Sequence, residues 1–283
     1  MVSGHSESSV PLVTITDIQR DLRALGVHAG QVLMLHASVK CVGWVVGGPD
    51  ALLQALLAVL TPAGTLMMLA GWEDNPYELD NWTEEKRQAY LAACPAFDPR
   101  TSRADHRELS ILAEYLRTTS GALRSSHPSS SFVALGVHAE HLLSSQPDQY
   151  PFGHDSPLGR FRALGGQVLL IGELFENVTL LHHAEQLARL PEKRVVRYRM
   201  PVLQDGVRVW KTFEEYDTTN GIADWPVEYF EVIVRSYVEA GHARVSQVGA
   251  APAFLLDGPS LVEFGQQWME LHLTPPTDRA YGH

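Results

Sequence analysis

Short apolar runs separated by glycine- and proline-containing turns make up the first third of the chain. Residues 32–38 (VLMLHAS) and 65–70 have the length and apolar character of buried strands. Between them, residues 51–60 follow Gly-Gly-Pro-Asp and end at Thr-Pro-Ala-Gly, which are typical start and stop signals of a helix. This strand–helix–strand order predicts a largely parallel sheet covered by helices.

The same patterns assign elements to most of the remaining chain. A helix is predicted over residues 14–25, with Thr16 or Asp17 as its N-cap. The dipeptide Asp205-Gly206, set among alternating apolar positions, predicts an antiparallel hairpin over residues 195–215. Further strands are predicted at 132–135 and 168–172, further helices at 110–117, 155–162 and 177–189, and a mainly helical remainder that contains the apolar stretch 246–256.

Residues 73–107 interrupt this pattern with acidic and aromatic side chains, several prolines and no clear period. Long excursions of this kind are commonly functional. No internal repeat and no linker composition divides the chain. We therefore predict a single α/β domain over residues 13–275, after a flexible tail over residues 1–12. Its sheet is expected to be mixed and largely parallel, covered by helices on both faces, with the antiparallel hairpin as an additional element.

The 283-residue chain carries 22 Lys and Arg against 33 Asp and Glu, a net charge of −11. Nucleic acid and anionic membranes need a basic surface, so this balance argues against both and permits a cationic partner. The apolar runs are shorter than the roughly 18 residues of a membrane helix, and no signal-peptide pattern is present. Two cysteines provide no disulfide framework. We expect a cytoplasmic protein, monomeric or homodimeric.

Several common catalytic signatures are absent from the sequence. It contains no P-loop, no GxGxxG, no GxSxG, no HExxH and no CxxC. The thirteen histidines show no spacing that matches a metal-ligand set, so no metal is predicted.

His182 and Glu185 form the strongest local candidate site. They lie in TLLHHAE (179–185), after the buried strand 168–172, where the first turns of a helix meet the carboxyl edge of the sheet. Three residues apart on a helix, they share a face, and a carboxylate beside an imidazole fixes its tautomer and raises its basicity. The pattern favours a general base, and taken alone it also fits a structural histidine.

Three weaker clusters combine hydroxyls with imidazoles. His36 and Ser38 end the strand that begins at residue 32, Ser126 and His127 lie in a serine-rich turn, and Ser156 precedes a helix. Such groups can bind a polar ligand or an anion. They can equally bond local backbone or cap the helix.

The excursion 73–107 provides carboxylates with aromatic rings between them. Such a surface suits a polycationic, sugar-like ligand, and a solvated charged loop has the same composition. Cys41, just past Ser38, is a candidate nucleophile or a small apolar residue. The carboxylates are Glu73, Asp74, Glu78, Asp80, Glu84, Glu85 and Asp98.

Seven segments, taken in order, resemble the aminoglycoside 3-N-acetyltransferase family, whose fold differs from that of the common GNAT acetyltransferases. Their collinearity over about residues 15–270 is more specific than any single motif. The segments are GQVLMLHASVKCVG (30–43), GGPDALLQALLAVLTPAGTLMM (47–68), FDP (97–99), RSSHPSSSFVALG (124–136), DSPLGRFRALGGQVLLIG (155–172), TLLHHAE (179–185) and VGAAPAFLLDGPSLVEF (248–264).

The resemblance implies an acetyl-CoA-dependent enzyme that acetylates the 3-amino group of deoxystreptamine antibiotics and confers resistance. In this reading His182 is the general base, oriented by Glu185 and helped by His36, and transfer is direct within a ternary complex. Acetyl-CoA is expected along Ser38, Val39, Lys40, Ser126, His127 and Ser156. The cationic aminoglycoside is expected against Glu73, Asp74, Asp98 and Glu185.

Three rival functions remain open at this point. A ping-pong enzyme would carry the acetyl group on Cys41. A related transferase would act on an amine that is not an antibiotic. A binding module would only sequester a cationic ligand.

Overall fold

The computed structural model describes residues 11–74, 79, 82–107, 109–225 and 228–273. The strands there are β1 (Leu12–Val13), β2 (Val32–Ala37), β3 (Trp44–Val45), β4 (Thr65–Leu69), β5 (Leu123–Arg124), β6 (Phe132–Gly136), β7 (Gln167–Ile171), β8 (Val195–Gln204), β9 (Val207–Tyr216), β10 (Ala243–Val248) and β11 (Ala251–Asp257). The α-helices are α1 (Ile15–Leu25), α2 (Val39–Val42), α3 (Gly48–Leu60), α4 (Glu84–Ala93), α5 (Ile111–Thr118), α6 (Ala139–Leu143), α7 (Pro157–Ala163), α8 (Leu181–Leu187), α9 (Tyr229–Glu239) and α10 (Gly258–His272).

A mixed sheet forms the centre of the fold, with the strand order β10-β11-β7-β2-β4-β6-β5. Strand β2 pairs in parallel with β4 and β7, whereas the other four pairings of this sheet are antiparallel. The predicted mixed α/β sheet is therefore confirmed, but parallel pairing is confined to its three central strands. One reason lies in residues 246–256, which were assigned to a mainly helical region. They form parts of β10 and β11 around Gly249, and so short a turn permits only antiparallel pairing.

Helices cover both faces of the sheet, as predicted. Along β2, Leu33 and Leu35 belong to one buried cluster, which includes α1, α3 and α5. The residue between them, Met34, belongs to the opposite cluster, which includes α8, α9 and α10. This alternation follows from the two-residue period of a strand, and it makes the sheet the shared wall of two cores.

Helix α1 begins at Ile15, inside the predicted range, but its N-cap lies two residues before the nearer predicted one. Its N-cap is Thr14, whose extended backbone (φ −97°, ψ 165°) lets its hydroxyl accept from the Asp17 amide. The Asp17 carboxylate accepts from the Thr14 amide in return, at 3.1 Å. The predicted cap at Thr16 or Asp17 is therefore wrong, because Asp17 is the third helical residue of a capping box. Residues 1–10 of the predicted tail lie outside the described residues, and Leu12 pairs with Trp44.

The excursion 73–107 contains one helix that its sequence pattern did not show. None of the residues of α4 is buried, so the helix has no apolar stripe from which a period could be read. Arg124 fixes the later part of the excursion to the sheet by donating to the carbonyls of Ser102 and Ala70. Residues 75–78, 80 and 81 of the excursion, which include the carboxylates Glu78 and Asp80, lie outside the described residues.

The predicted hairpin is confirmed as β8 and β9, which pair in full register from Val195 and Tyr216 to Gln204 and Val207. Its turn is Asp205-Gly206, both with positive φ (49° and 77°), as a type I′ turn requires. In the described part of the chain, no helix is long and apolar enough to cross a membrane.

Gly136, the last residue of β6, provides a test of how closely this strand packs against the start of β4. At its φ of +132°, a Cβ would lie 2.1 Å from the Gly64 carbonyl oxygen, whereas a Cβ at Gly165 (φ +67°) meets nothing within 4 Å. We expect Gly165→Ala to cost only the left-handed penalty of about 1–2 kcal/mol. Gly136→Ala should cost about 1–3 kcal/mol more because of the clash. Urea unfolding of both variants measures the difference, and equal losses would contradict the packing described.

Candidate active site

A cavity of about 1140 Å³ opens at the edge of the sheet where β2 and β7 end. Its wall includes the end of β2 and the start of α2, through His36, Ser38 and Lys40. Helix α8 contributes His182 and Glu185. Ligands of α/β sheets commonly bind at this edge, because the carboxyl ends of parallel strands and the turns after them converge there.

The start of α8 is built by turns that follow β7. The strand ends at Ile171, and residues 175–177 form a 3₁₀ turn before Val178 and Thr179 lead into the helix. The His182 amide donates to the Thr179 carbonyl at 3.0 Å. On the far side of α8, Gly265 of α10 lets the helices approach closely, since a Cβ there would lie 2.6 Å from Leu181. These contacts fix the helix that carries the candidate base.

His182 and Glu185 interact as their spacing predicted. The Nδ1 atom of His182 lies 2.7 Å from Oε2 of Glu185. An ionised carboxylate can only accept, so this contact places a proton on Nδ1 and leaves the Nε2 lone pair free. The imidazole stacks on Phe152, with ring centroids 5.0 Å apart and planes at 21°, and packs against Phe230. The pair therefore holds the imidazole in a fixed orientation at the cavity wall.

The second oxygen of the Glu185 carboxylate also has a hydrogen-bond partner. The Glu185 side chain is only 3% exposed, and its Oε1 accepts from the hydroxyl of Tyr229. The backbone carbonyl of Glu185 accepts from Nζ of Lys193 at 2.7 Å. A carboxylate in such a place persists only when its oxygens have partners, so this arrangement keeps the charge beside His182.

His36 lies on the wall of the same cavity. Its Nε2 is buried and has no hydrogen-bond partner among the described residues. Burial, followed by the nearby His182, lowers the pKa of His36 to about 4. His36 is therefore neutral near pH 7, with a buried Nε2 that has no partner among the described residues.

The predicted cofactor-binding residues fall into two groups. Ser38, Val39 and Lys40 line the cavity, and the Ser38 hydroxyl accepts from the Cys41 thiol at 3.2 Å. The described lining does not include the other three, which are Ser126, His127 and Ser156.

Ser126, His127 and Ser156 occupy separate places. Ser126 lines a smaller cavity of about 220 Å³ beside the hairpin. His127 is buried, its Nδ1 accepts from the Ser130 amide, and burial lowers its pKa to about 3. Ser156 is fully buried, and its hydroxyl bonds Gly153 and the Gly159 amide as the cap of α7. His127 and Ser156 thus bond local backbone groups in this structure, which is the alternative to ligand binding that their sequence also allowed.

The predicted acidic ligands are already engaged by the chain itself. Glu73 forms ion pairs with three groups of its own excursion, which are Arg103, His106 and Arg107. Asp98 accepts from the Arg100 guanidinium, and these hydrogen bonds lower the pKa of Asp98. Asp74 accepts from the Tyr90 hydroxyl at 2.7 Å. The described lining of the large cavity includes none of the three carboxylates.

The cavity is also lined by polar groups that the sequence analysis did not identify. They lie on turns, where no periodic pattern of residues marks them. Glu176 and Asn177 had one signal, their position directly after the strongest predicted strand. The missed residues are Glu176, Asn177, Thr218, Thr219, Asn220 and Glu228.

Comparison with known proteins identifies the family of this fold and site. The model of the family described as aminoglycoside 3-N-acetyltransferase matches residues 34–270. The chain belongs to this family. Aminoglycoside N(3)-acetyltransferase III of Pseudomonas aeruginosa is 48% identical over 248 residues, which cover 88% of this chain and 90% of that protein.

Solved structures with the same fold include one complex with CoASH and one with sisomicin. A binary complex of AAC-IIIb with CoASH is 37% identical, with a TM-score of 0.85, and covers 94% of this chain and 100% of that one. A structure of AAC-VIa with bound sisomicin is 34% identical, with a TM-score of 0.86, and covers 93% of this chain and 100% of that one. The resemblance read from the sequence is confirmed, and the cavity described above belongs to an acetyltransferase fold.

The neutral state of His36 has a consequence for stability. Because its pKa lies at about 4 in the fold, below the ordinary 6.5, the unfolded chain binds this proton first as the pH falls. The contribution of neutral His36 to the free energy of unfolding is complete above pH 6.5, and it is lost as the pH falls from 6.5 towards 4. At pH 5 the loss should be on the order of 1–2 kcal/mol.

Urea unfolding at pH 7 and pH 5 measures this loss. His36→Gln should lose less stability than the wild type over this interval, because it lacks the titrating group. An equal loss in both proteins would show that His36 is protonated as readily in the fold as in the unfolded chain.

Proposed function

We propose that this protein transfers the acetyl group of acetyl-CoA to the 3-amino group of the deoxystreptamine ring of an aminoglycoside, and thereby confers resistance. The observation that carries the proposal is the His182–Glu185 pair on the wall of a cavity large enough for two substrates. Family membership and the relatives with bound CoASH and sisomicin support the two substrate classes.

His182 acts as the general base. The amines of an aminoglycoside are mostly protonated near neutral pH, and an ammonium has no lone pair with which to attack. The 3-amine therefore reacts in its neutral form, after the ammonium has released one proton to solvent. Nε2 of His182 takes a second proton from the nitrogen as it bonds to the thioester carbon, and Glu185 stabilises the resulting imidazolium. Burial of the carboxylate strengthens this interaction because the local dielectric is low.

Transfer is direct within a ternary complex. The amine nitrogen bonds to the thioester carbon, the carbon–sulfur bond then breaks, and coenzyme A leaves as a thiolate that takes the proton from the His182 imidazolium and becomes a thiol. The tetrahedral intermediate needs a hydrogen-bond donor for its oxyanion, and the Ser38 hydroxyl at the cavity wall is positioned to supply one. Neutral His36, with an unpaired Nε2, is a second group that can bond the reacting centre.

The two substrates approach from different parts of the wall. Ser38, Val39 and Lys40 hold the acetyl-CoA arm, with Lys40 as the cation for its phosphates. Glu176 and Glu228, which line the same cavity, receive ammonium groups of the aminoglycoside. These carboxylates replace Glu73 and Asp98 as proposed ligands, because the arginine partners of those two already neutralise them.

Replacement of the base is the direct test. We expect His182→Ala to lower kcat by about 10²–10⁴-fold, the typical contribution of a general base. A thiol reagent measures CoA release from acetyl-CoA with a panel of aminoglycosides. His154→Ala is the matched control, since His154 also lies beside a carboxylate (Asp155, 3.2 Å) but is 90% exposed on the surface. Near-full kcat in His182→Ala would refute the proposed mechanism.

The same assay separates the rival functions. A burst of thiol with acetyl-CoA alone, abolished in Cys41→Ser, would indicate an acyl-cysteine intermediate in place of direct transfer. Faster release with a non-antibiotic polyamine than with any aminoglycoside would change the substrate class. No thiol release with any acceptor would indicate a binding module.

A further inference from the structure

The two oxygens of the Glu185 carboxylate have different partners. Oε2 bonds the Nδ1 atom of His182 at 2.7 Å, and Oε1 accepts from the Tyr229 hydroxyl. Tyr229 lies on another element, at the first turn of α9, and also lines the cavity. The carboxylate is thus held between the candidate base on one side and a phenol on the other.

The Tyr229 hydroxyl has a fixed donor direction. Its oxygen accepts from the Ile222 amide at 3.2 Å, so its own proton is directed to Glu185. Burial, followed by the charge of Glu185, raises the pKa of Tyr229, so the phenol stays protonated and keeps donating. The ring has little room to turn, since a Cβ at Gly221 would lie 2.7 Å from its Cε1 atom.

We propose that Tyr229 is a positioning residue for the His182–Glu185 pair and couples it to the turn 218–222. Residues 218–221 of this turn line the cavity, and the Ile222 amide holds the hydroxyl that holds Glu185. A substrate that rests on the turn is therefore connected to the base by three hydrogen bonds, Ile222 to Tyr229, Tyr229 to Glu185 and Glu185 to His182. The inference rests on the proposed function, because it gives Tyr229 a role in the same proton transfer.

The hydroxyl also sets the protonation of the pair. Donation by Tyr229 stabilises the carboxylate most when His182 is neutral, because no imidazolium then shares the negative charge. Without the hydroxyl, the pair holds a proton up to a higher pH. The base then becomes unavailable at a pH where the wild type is active.

Other ionisable groups face the pair and stay in place when the hydroxyl is removed. Lys193 donates to the Glu185 backbone, and neutral His36 lies close to His182. Glu215 of β9 acts on His182 by its charge, and Glu228 acts on Tyr229. A change caused by one hydroxyl can therefore be measured against a constant background.

Tyr229→Phe is the test, with Tyr150→Phe as its matched control. Tyr150 donates to a different carboxylate, Glu214, at 2.9 Å, away from the large cavity. We expect Tyr229→Phe to lower kcat at pH 7 by about 10-fold, the size of a hydrogen bond to a charged group, with the KM for acetyl-CoA within two-fold of wild type. The acidic limb of its kcat–pH profile should move to higher pH. Tyr150→Phe should change neither quantity.

A measurement without substrate separates this inference from the proposed function. In ¹⁵N NMR, wild-type His182 should show the Nδ1–H tautomer, and its titration midpoint should rise in Tyr229→Phe. An unmoved midpoint and an unmoved acidic limb would overturn the role of Tyr229, even with transferase activity present. Absence of thiol release in the wild type would instead overturn the proposed function, and the NMR comparison would still decide whether Tyr229 sets the pair.

Two further variants guard against a purely structural effect. In a Glu185→Gln background, Tyr229→Phe should add little, because the hydroxyl acts through the carboxylate. If Tyr229→Phe does not fold, Gly221→Ala displaces the ring while keeping the hydroxyl, and should move the titration midpoint in the same direction. A full additional loss in the Glu185→Gln background, or an unmoved midpoint in Gly221→Ala, would contradict the proposal.

Discussion

The parallel pairing of β2 with β7 is the constraint on which the site depends. Its register sets His36 opposite Leu170 and Ala37 opposite Ile171, and the Ser38 amide continues it by donating to the Ile171 carbonyl. Because both strands end at the same edge, the turn into α2 and the turns into α8 leave the sheet side by side. A slip of one residue would turn His36 to the other face of the sheet, away from His182.

The histidines in and around the site differ in whether a carboxylate bonds the imidazole. Burial keeps His36, His127 and His183 neutral, with pKa values of about 4, 3 and 4. Only His182 among these four has a carboxylate on its Nδ1. His183 instead bonds the carbonyl of Phe152, the residue on whose ring His182 stacks, so a neutral neighbour helps to position the proposed base.

Local patterns predicted those parts of the molecule that local physics determines. The central strands, the hairpin and the shared face of His182 and Glu185 follow from residue periods and turn residues. The strands β10 and β11 were missed because a glycine-punctuated apolar stretch has no distinct period. The ion pairs of Glu73 and Asp98 could not be predicted either. Whether these carboxylates are free to bind a cationic ligand depends on which arginines the folded excursion brings to them. Glu228 and Thr219 are separated from α8 by more than thirty residues, and only the folded chain shows that they share its cavity.

The cavity wall divides according to how it is built. His182 and Glu185 belong to a helix packed closely against α10, where a small change in volume is costly. Glu176, Thr219 and Glu228 project from turns, which accept substitution far more readily. If the proposed function is correct, selection by a changing set of antibiotics can change the compounds that this enzyme acetylates while the reaction itself stays the same. Recognition and reaction are thus separable traits, and this separation makes the scaffold evolvable.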